Sequence, residues 1–472
     1  MIRYFCSPND FLTGSDSQRI QAAINAAHES GLNQVVIPRF NAVSEKCIWN
    51  IDEVILLPSD MTVVLDNCHL RMADDAISQM FRNKEAYTEF GHTIEGEQHN
   101  IAIIGRGQAI LDGGKENALN EYTSNKNGLP SVHQNLLICL HNVEHFVIEN
   151  VTVRDQRWWS FMMMFCRNGR LSNIHFEIIY RDTYATWRNQ DGINLRVGCS
   201  NILIENITGQ TGDDVIALTA LSPKGSTEDA NRIPGRDTHI HDVIIRNVRA
   251  FSNMCSVVRL LCQQGNQVYN IVIENIVDTG RPGLDSQVQM LVLIGQDSYY
   301  KTPEERGKPG DIHNISIRNV YSRAITALHM EMAVKNLTAS NIFVHDDGRH
   351  AVTCGGFALR DNTYKLSGDA LKSVVFLFVP ERYEEQRKLR LKPRQPDRGV
   401  TVENITISNI HYAAQPEEGE TPYVIRFSNA KVKDMKISGI HSDVPVKCQL
   451  HHENVFENVV LGDEGQVEMV QA

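Results

Sequence analysis

Three features of this 472-residue sequence predict an all-β fold, a single-stranded right-handed parallel β-helix (a solenoid) with an N-terminal capping helix. First, a phrase close to N-I-x-I-x-N-I/V recurs along the chain, as in a repeat architecture. Second, each copy alternates apolar and polar residues, as a half-buried strand does. Third, the shortest interval between equivalent asparagines, Asn319 to Asn341, is 22 residues, and the repeats lack the helix of a leucine-rich repeat. Copies include SNILIENITG at 200–209, YNIVIENIVD at 269–278 and VENITISNIHY at 402–412.

The first element is an amphipathic helix within a cap of about residues 14–40, which we expect to close the open end of the stack. Ser17 is the expected N-cap of this helix and Gly31 its stop signal. Residues 35–38, Val-Val-Ile-Pro, then form a buried strand. The apolar face of the helix comprises Ile20, Ala23, Ile24 and Ala27.

The asparagine at the sixth place of each copy is expected to be structural. It falls where a strand turns a corner, and its amide can bond the same asparagine one coil above and below. A charged stretch within about 376–400 breaks the repeat, and we expect a long inserted loop there, within one domain spanning 1–472. The asparagine positions are 150, 206, 247, 275, 319, 341 and 409, with Asn173 at the third place of its copy.

Composition and charge argue against several other classes of protein. Hydrophobic residues make up 42% and charged residues 22%, so the chain can bury a core. The 46 basic and 57 acidic residues leave a net charge of −11, whereas a nucleic-acid-binding protein usually carries a basic footprint. The most apolar stretch, 158–166, is too short to span a membrane. The ten cysteines form no CxxC pair, so we expect reduced thiols and a cytoplasmic protein, with its oligomeric state left open.

Two acidic motifs carry the chemistry, N-Q-D-G-I-N at 189–194 and T-G-D-D at 211–214. Asp191 and Asp213 are 22 residues apart, which is one coil of the predicted stack, so both should lie on one face. With Asp214 they form a cluster whose mutual repulsion should keep one carboxyl protonated. One protonated and one ionised carboxyl is the requirement of glycoside hydrolysis. Aspartate is also common in tight turns, and the one-coil spacing favours the chemical interpretation.

These motifs resemble those of glycoside hydrolase family 28, the polygalacturonase-like pectinases. N-Q-D-G-I-N is similar to the family's N-T-D-G-I-D, and T-G-D-D-V-I-A is similar to its T-G-D-D-C-I-A. The resemblance extends over about residues 14–320, and it implies a β-helix glycosidase. It further implies that Asp213 is the general acid, and that Asp191 and Asp214 hold and activate water, with inversion at the anomeric carbon. We expect no metal or cofactor.

Two other motifs of the family are missing. The family's S-G-H-G-G falls on 252–256, where no histidine stands. Its R-I-K, whose Arg and Lys bind the galacturonate carboxylate in polygalacturonases, falls near 289–292 and is absent. Arg259, on an adjoining strand, offers a planar fork for a carboxylate and is the expected replacement; otherwise it bonds a loop or lies at the surface.

Several residues near the aspartates are candidates for binding sugar. A tryptophan pair near the place of the family's S-P-x-W either stacks on a sugar or fills the core, and the residues just before Asp191 border the expected cleft. The candidates are Arg157, Trp158, Trp159, Trp187, Arg188 and Asn189.

The expected function is hydrolysis of pectin-derived or related oligosaccharides. Exo-action is expected because a protein inside the cell meets short, imported chains. Two alternatives stay open: a β-helix polysaccharide lyase with Arg259 as the base, and a non-catalytic carbohydrate-binding solenoid, which the missing motifs would explain. The expected partner is the oligosaccharide, without nucleic acid or membrane.

Overall fold

The computed structural model describes residues 4–121, 123–178, 189–253, 255–263, 265–282, 288, 290–295, 307–354, 400–414, 422–427, 430–450, 455–462 and 467–471. The chain forms two compact units. The expected long loop at about 376–400 lies outside the described residues except for Val400. A single domain over 1–472 stays a prediction. In the described part of the chain, no helix is both long and apolar enough to cross a membrane. The first unit comprises Met1–Tyr180, Arg188–Gly212 and Leu221–Val243, and the second comprises Arg181–Trp187, Asp213–Ala220 and Ile244–Ala472.

The N-terminal helix of the first unit is α1, Asp16–Glu29, and its predicted apolar face is buried. The N-cap is Ser15 rather than Ser17. The Ser15 hydroxyl accepts from Gln18 N, and the Gln18 side chain accepts from Ser15 N, so the two residues form a capping box. The Ser17 hydroxyl instead accepts the amide of Asp52, which ties the helix to the next segment. Gly31 follows the helix with a φ of 71°, as a stop signal requires.

The first unit consists of parallel strands in a long-strand sheet and a short-strand sheet. The long-strand sheet has the order β1-β4-β7-β10-β12-β14, with β2, β5 and β8 joined to it through β10. The short-strand sheet has the order β3-β6-β9-β11-β13. The strands are β1 Gln34–Pro38, β2 Trp49–Ile51, β3 Ile55–Leu57, β4 Thr62–Asp66, β5 His69–Met72, β6 Phe81–Asn83, β7 Gln98–Arg106, β8 Ile110–Asp112, β9 Ile138–His141, β10 Val143–Arg154, β11 Phe161–Met164, β12 Arg167–Glu177, β13 Ile193–Leu195 and β14 Ser200–Thr211.

The second unit repeats this plan. Its long strands follow the order β16-β18-β20-β22-β24-β26-β28, and its short strands the order β15-β17-β19-β21-β23-β25-β27-β29. These parallel coils confirm the predicted all-β class and the parallel β-helix. The strands are β15 Ile216–Ala220, β16 Ile240–Ser252 (which begins in the first unit), β17 Ser256–Cys262, β18 Val268–Asp278, β19 Met290–Ile294, β20 Ile312–Ser322, β21 Thr326–Met330, β22 Val334–Val344, β23 His350–Cys354, β24 Val400–Tyr412, β25 Tyr423–Phe427, β26 Ala430–Ser442, β27 Val446–Leu450, β28 Val455–Leu461 and β29 Val467–Gln471. The short helices are α2 Thr227–Ala230 and the 3-10 helices Pro8–Asp10, Phe90–His92 and Val132–Asn135.

The predicted asparagine ladders hold the bends of the long strands. In the first unit, Asn173 Nδ2 donates to Asn150 Oδ1 at 2.8 Å, and Asn206 Nδ2 donates to Asn173 Oδ1 at 2.9 Å. Asn173 therefore belongs to the same ladder, although it stands at the third place of its copy. All three have positive φ, which asparagine tolerates better than most residues. The second unit has two further ladders, Asn247–Asn275–Asn319–Asn341–Asn409 and Asn270–Asn314–Asn336–Asn404.

The chain passes from a long strand to the following short strand through a turn, and most of the candidate residues lie in such turns, whereas Arg259 lies within β17. Residues 155–160, for example, join β10 to β11 and contain Arg157, Trp158 and Trp159. In the first unit, β9, β11 and β13 are buried at every position. Both faces of this short-strand sheet are therefore covered, one by the core and the other by loops.

Candidate active site

The turn that carries Asp191 is fixed by the coil before it. The Asp191 carbonyl accepts from Ser160 N at 2.9 Å and from Ser160 Oγ at 3.0 Å. Beside it, Gln156 and Gln190 exchange hydrogen bonds, each side-chain amide donating to the other residue's carbonyl, at 3.2 and 2.6 Å. These bonds are buried, as is the Asp191 side chain. The position of Asp191 is thus set by backbone and amide contacts of residues 156–160.

The second motif begins next to the first. Gly212 N donates to the carbonyl of Gln190 at 3.2 Å, so residues 190 and 212 lie on neighbouring coils of the first unit. A Cβ on Gly212 would lie 2.9 Å from Gln190 Cβ, which is why glycine stands there. Asp191 follows Gln190 in the chain, and Asp213 follows Gly212. The backbones that lead into the two aspartates are therefore hydrogen bonded to each other, as the 22-residue spacing predicts.

In the second unit, Asp214 is the centre of a buried polar group. Its Oδ1 accepts from Ser256 N at 3.1 Å and also from the Ser256 hydroxyl. Its Oδ2 lies 2.8 Å from Arg259 Nη2. Asp214 is fully buried, and Arg259 is 4% exposed. The predicted candidate Arg259 is thus placed beside an acidic residue of the motif, with its guanidinium directed at Asp214 and not at solvent.

Asp213, Asp214 and Cys255 bring ligand atoms within 4.8 Å of one another, a spacing that a metal ion could bridge. Both oxygens of Asp214 already contact Ser256 or Arg259. Removal from water raises the pKa of the Cys255 thiol well above its usual range, and the charge of Asp214 raises it further. A protonated thiol is a poor metal ligand because the thiolate is the binding form. This group therefore fits a metal poorly.

The two tryptophans are packed inside the first unit. Their rings stack at 4.0 Å with an interplanar angle of 13°, and Trp158 and Trp159 are 4% and 7% exposed. They cluster with Val132, Leu136 and Met162. The tryptophan pair is therefore buried and fills the core, which is the alternative to an exposed platform for a sugar.

Arg157 holds loops together. Its guanidinium donates to the backbone carbonyls of Ala73, Ala76 and Lys115 at 2.6 to 2.7 Å. These bonds engage its donors and leave it almost fully buried. The sequence could not distinguish this loop clamp from a substrate-binding arginine. Trp187 and Arg188, two further candidates, lie outside the described residues.

Asn189 contacts a residue that the sequence did not indicate. Its Nδ2 donates to Glu121 Oε1 at 2.8 Å, and Trp158 Nε1 donates to the same oxygen at 3.1 Å. Glu121 precedes Asn189 by 68 residues and belongs to a segment without the repeat. No motif or periodicity marks it, so only the fold could find it.

A second unpredicted feature is the covering segment, residues 221–239, which packs over the short-strand sheet of the first unit. Its Glu228 forms a buried ion pair with Arg196, at 2.6 Å to Nη2. The Arg196 guanidinium also lies 4.8 Å over the Trp159 ring. Further along, the carbonyl of Asn231 lies 2.9 Å from His141 Nε2. These contacts close the outer face of β11 and β13.

Beneath the covering segment, His133 packs edge-on against Trp158, with ring centroids 4.8 Å apart. Burial lowers the pKa of His133 to about 4, so its imidazole is neutral near pH 7. Its Nδ1 lies 3.0 Å from the Ser131 hydroxyl. His133 therefore adds a neutral polar group to the aromatic cluster beneath the covering segment.

Comparison with known proteins agrees with the two acidic motifs. Residues 77–236, which contain both motifs, match the sequence model of glycosyl hydrolases family 28, and this match confirms the resemblance. A 143-residue stretch is 31% identical to a "Putative galacturan 1,4-alpha-galacturonidase C" of Aspergillus niger. That stretch spans 29% of this chain and 31% of the relative, so under a third of the relative's length is matched.

Solved structures share the fold. An exopolygalacturonase from Thermotoga maritima has a TM-score of 0.53 and 14% identity, covering 92% of this chain and 91% of that chain. The A-module of mannuronan C-5 epimerase AlgE4 from Azotobacter vinelandii has a TM-score of 0.53 and 13% identity, covering 97% and 100%. At these identities the likeness establishes the β-helix alone, and the chemistry has to be argued from the residues.

Proposed function

We propose that this chain hydrolyses glycosidic bonds in pectin-derived or related oligosaccharides. The observation that carries the proposal is the tandem of acidic motifs. They lie inside the segment that matches glycosyl hydrolases family 28, and the backbones leading into them are bonded through Gly212 and Gln190.

In this proposal, Asp213 is the general acid and donates its proton to the leaving glycosidic oxygen. Asp191 and Asp214 hold a water molecule, and one of them accepts a proton from it as its oxygen attacks the anomeric carbon. The bond from water to carbon forms as the glycosidic bond breaks, which inverts the configuration. The roles of Asp213 and Asp191 rest on the motif match. That of Asp214 is also supported by its contacts with Ser256 and Arg259, which fix its orientation.

We also propose exo-action. It is supported by the covering segment, which lies on the outer face of the first unit's short strands. This segment packs against His141, Val197 and Arg196, and the Arg196 guanidinium lies over the Trp159 ring. A polymer could not run along a face that loops already fill, whereas the end of a short chain could stop against it. Product length tests this, because an exo-acting enzyme releases one size of product from the first minutes of reaction.

The lyase alternative has less support in the geometry. A lyase would need a basic residue available to abstract a proton, and Arg259 is directed at Asp214 at 2.8 Å. The non-catalytic alternative keeps its support in the sequence, because the family's histidine and its R-I-K are absent. One assay of the products distinguishes a hydrolase, a lyase and a carbohydrate-binding solenoid.

The test compares wild type with Asp213→Asn on pectic and neutral oligosaccharides, following new reducing ends and the absorbance of unsaturated sugar. Asp443→Asn removes one exposed carboxylate of the second unit, outside the acidic motifs, and is the matched control. Reducing ends from wild type and the control, but not from Asp213→Asn, support hydrolysis. Absorbance indicates a lyase. Binding without any turnover indicates a carbohydrate-binding solenoid.

We further propose a cytoplasmic location, in keeping with ten cysteines that stand as thiols, without a disulfide bond among the described residues. Fractionation of the source cells, with cytoplasmic and exported marker proteins as references, tests it. Recovery with the exported marker would refute it.

A further inference from the structure

We propose that Glu121 makes the candidate site selective for a neutral sugar unit beside the Asp191 motif, against a uronate. This inference rests on the proposed function and names the sugar class at one position of that site. Glu121 belongs to neither acidic motif.

The Glu121 carboxylate is held in a fixed orientation. Its Oε1 accepts two hydrogen bonds, from Trp158 Nε1 at 3.1 Å and from Asn189 Nδ2 at 2.8 Å. Trp158 is itself immobilised by its stack on Trp159. A carboxylate anchored through one oxygen presents the other without losing side-chain entropy when a ligand arrives.

The second oxygen, Oε2, is the one available to a ligand. The Glu121 side chain is exposed, and within the described part of the chain its hydrogen bonds are both to Oε1. Asn189 lies two residues before Asp191, so Glu121 stands beside the first acidic motif. A sugar bound to that motif is thus within reach of an oriented carboxylate oxygen.

Among the described residues, the two arginines that adjoin the tryptophan stack are already engaged. Arg157, next to Trp158 in the chain, donates to loop carbonyls. Arg196, over the Trp159 ring, pairs with Glu228 at 2.6 Å. Neither can turn to a ligand carboxylate without giving up buried contacts, which is costly.

These charges favour hydroxyl groups over a carboxylate. A carboxylate oxygen accepts strongly from sugar hydroxyls, since a hydrogen bond to a charged acceptor is stronger than a neutral one. It repels a uronate carboxylate placed beside it, and such repulsion is a recognised means of specificity. The class of ligand is therefore an oligosaccharide with a neutral sugar at this position.

Glu121 also braces Trp158 and Asn189, so the test must separate charge from bracing. Glu121→Gln keeps an oxygen that accepts both hydrogen bonds, and it replaces the second, charged acceptor oxygen with a neutral NH2 donor. If bracing were its whole role, this variant would bind every ligand as wild type does. Glu89→Gln is the matched control, because Glu89 is exposed in the same unit and its side chain makes no cap bond.

The experiment is isothermal calorimetry in an Asp213→Asn background, which prevents turnover during titration. The ligands are trisaccharides of galacturonic acid and of galactose with the same linkage. They differ only at C6, which is a carboxylate in the first and a hydroxymethyl group in the second. We expect the galactose ligand to bind about tenfold more tightly, and Glu121→Gln to reduce that preference about tenfold, as loss of a charged hydrogen-bond partner does. Glu89→Gln should leave the preference unchanged.

Two outcomes would overturn the inference: tighter binding of the galacturonic acid ligand, or an unchanged preference in Glu121→Gln. The test is independent of catalysis. Absence of hydrolysis in wild type, with the expected binding ratios, would remove the proposed function and leave the inference standing. Hydrolysis with a galacturonate preference would do the reverse.

Discussion

Replacing Glu228 with Gln should destabilise the first unit severely, although Glu228 lies in a covering segment outside the strands. Glu228 and Arg196 are 6% and 8% exposed at their side chains and approach to 2.6 Å. Burial raises the pKa of Glu228, but the charge of Arg196, together with the smaller effects of His133 and of hydrogen bonds to the carboxylate, outweighs burial and holds the pKa below its ordinary value. Glu228→Gln therefore leaves a buried guanidinium over Trp159 without its counter-charge.

The size of the effect follows from the geometry. Two unit charges about 4 Å apart attract by about 4 kcal/mol at the effective dielectric of a partly buried site. Removing one partner of a buried pair costs about 3–5 kcal/mol, because the other charge stays desolvated. The assay is urea unfolding at pH 7, followed by circular dichroism. Arg106→Gln, which breaks an exposed 3.9 Å pair with Asp66, is the control and should shift the midpoint much less.

Two further measurements test whether the buried Arg196–Glu228 pair causes this loss of stability. The double variant Arg196→Met/Glu228→Leu should recover most of the loss, since well-packed apolar residues replace a buried pair at little cost. A lowered carboxyl pKa contributes stability above its unfolded value of about 4.5 that is lost as pH falls through the folded value. Wild type and Glu228→Gln should therefore converge in acid. A loss under about 1 kcal/mol at pH 7 would refute the argument.

Three other outcomes are expected. Burial raises the pKa of Asp278 to about 6, so its carboxylate opposes folding above that pH by up to about 3 kcal/mol. Asp278→Asn should therefore raise the urea midpoint near pH 7.5 and lose that advantage near pH 4, where a lasting gain would contradict the titration. Because its thiol pKa is raised, Cys255 should react with iodoacetamide at pH 8 far more slowly than exposed Cys47, and equal labelling by peptide mass spectrometry would contradict this. Asn319→Ala removes two ladder bonds and strains a φ of 57°, so urea unfolding should show a loss of about 2–3 kcal/mol. Asn319→Gly should lose about 1 kcal/mol less, and equal losses would exclude backbone strain.

The fold was predictable because its information is repeated. Each copy has the same alternation of apolar residues and the same asparagine at the corner. A misassigned copy can therefore be recognised by comparison with the other copies. Outside the repeats, the predicted boundaries of an element can be wrong by one or two residues. The helix N-cap is Ser15, not Ser17, because the capping box with Gln18 decides between two serines that stand two residues apart.

The candidate site was predictable only where it lies on the repeat. Asp191 and Asp213 are one coil apart in the sequence, and Gly212 and Gln190 are bonded in the structure. Glu121 and Glu228 belong to segments between coils, and their partners are distant in the chain. Arg157 shows the converse limit, since its position beside Trp158 could not reveal that loop carbonyls take its hydrogen bonds.

The missing R-I-K and the contacts of two arginines both argue against a carboxylate-binding site. Arg259 in the second unit is directed at Asp214, and Arg196 in the first unit at Glu228. Among the described residues, Arg259 in the second unit and Arg196 in the first each neutralise an internal carboxylate, so these two charges are not presented to an anionic ligand. The chain as a whole carries a net charge of −11, which also disfavours the approach of a polyanion. A chain that lacks the family's galacturonate-binding pair, and whose Arg196 and Arg259 each pair with an internal carboxylate, is expected to bind hydroxyl groups more readily than carboxylates. This is the same sugar class that the orientation of Glu121 favours.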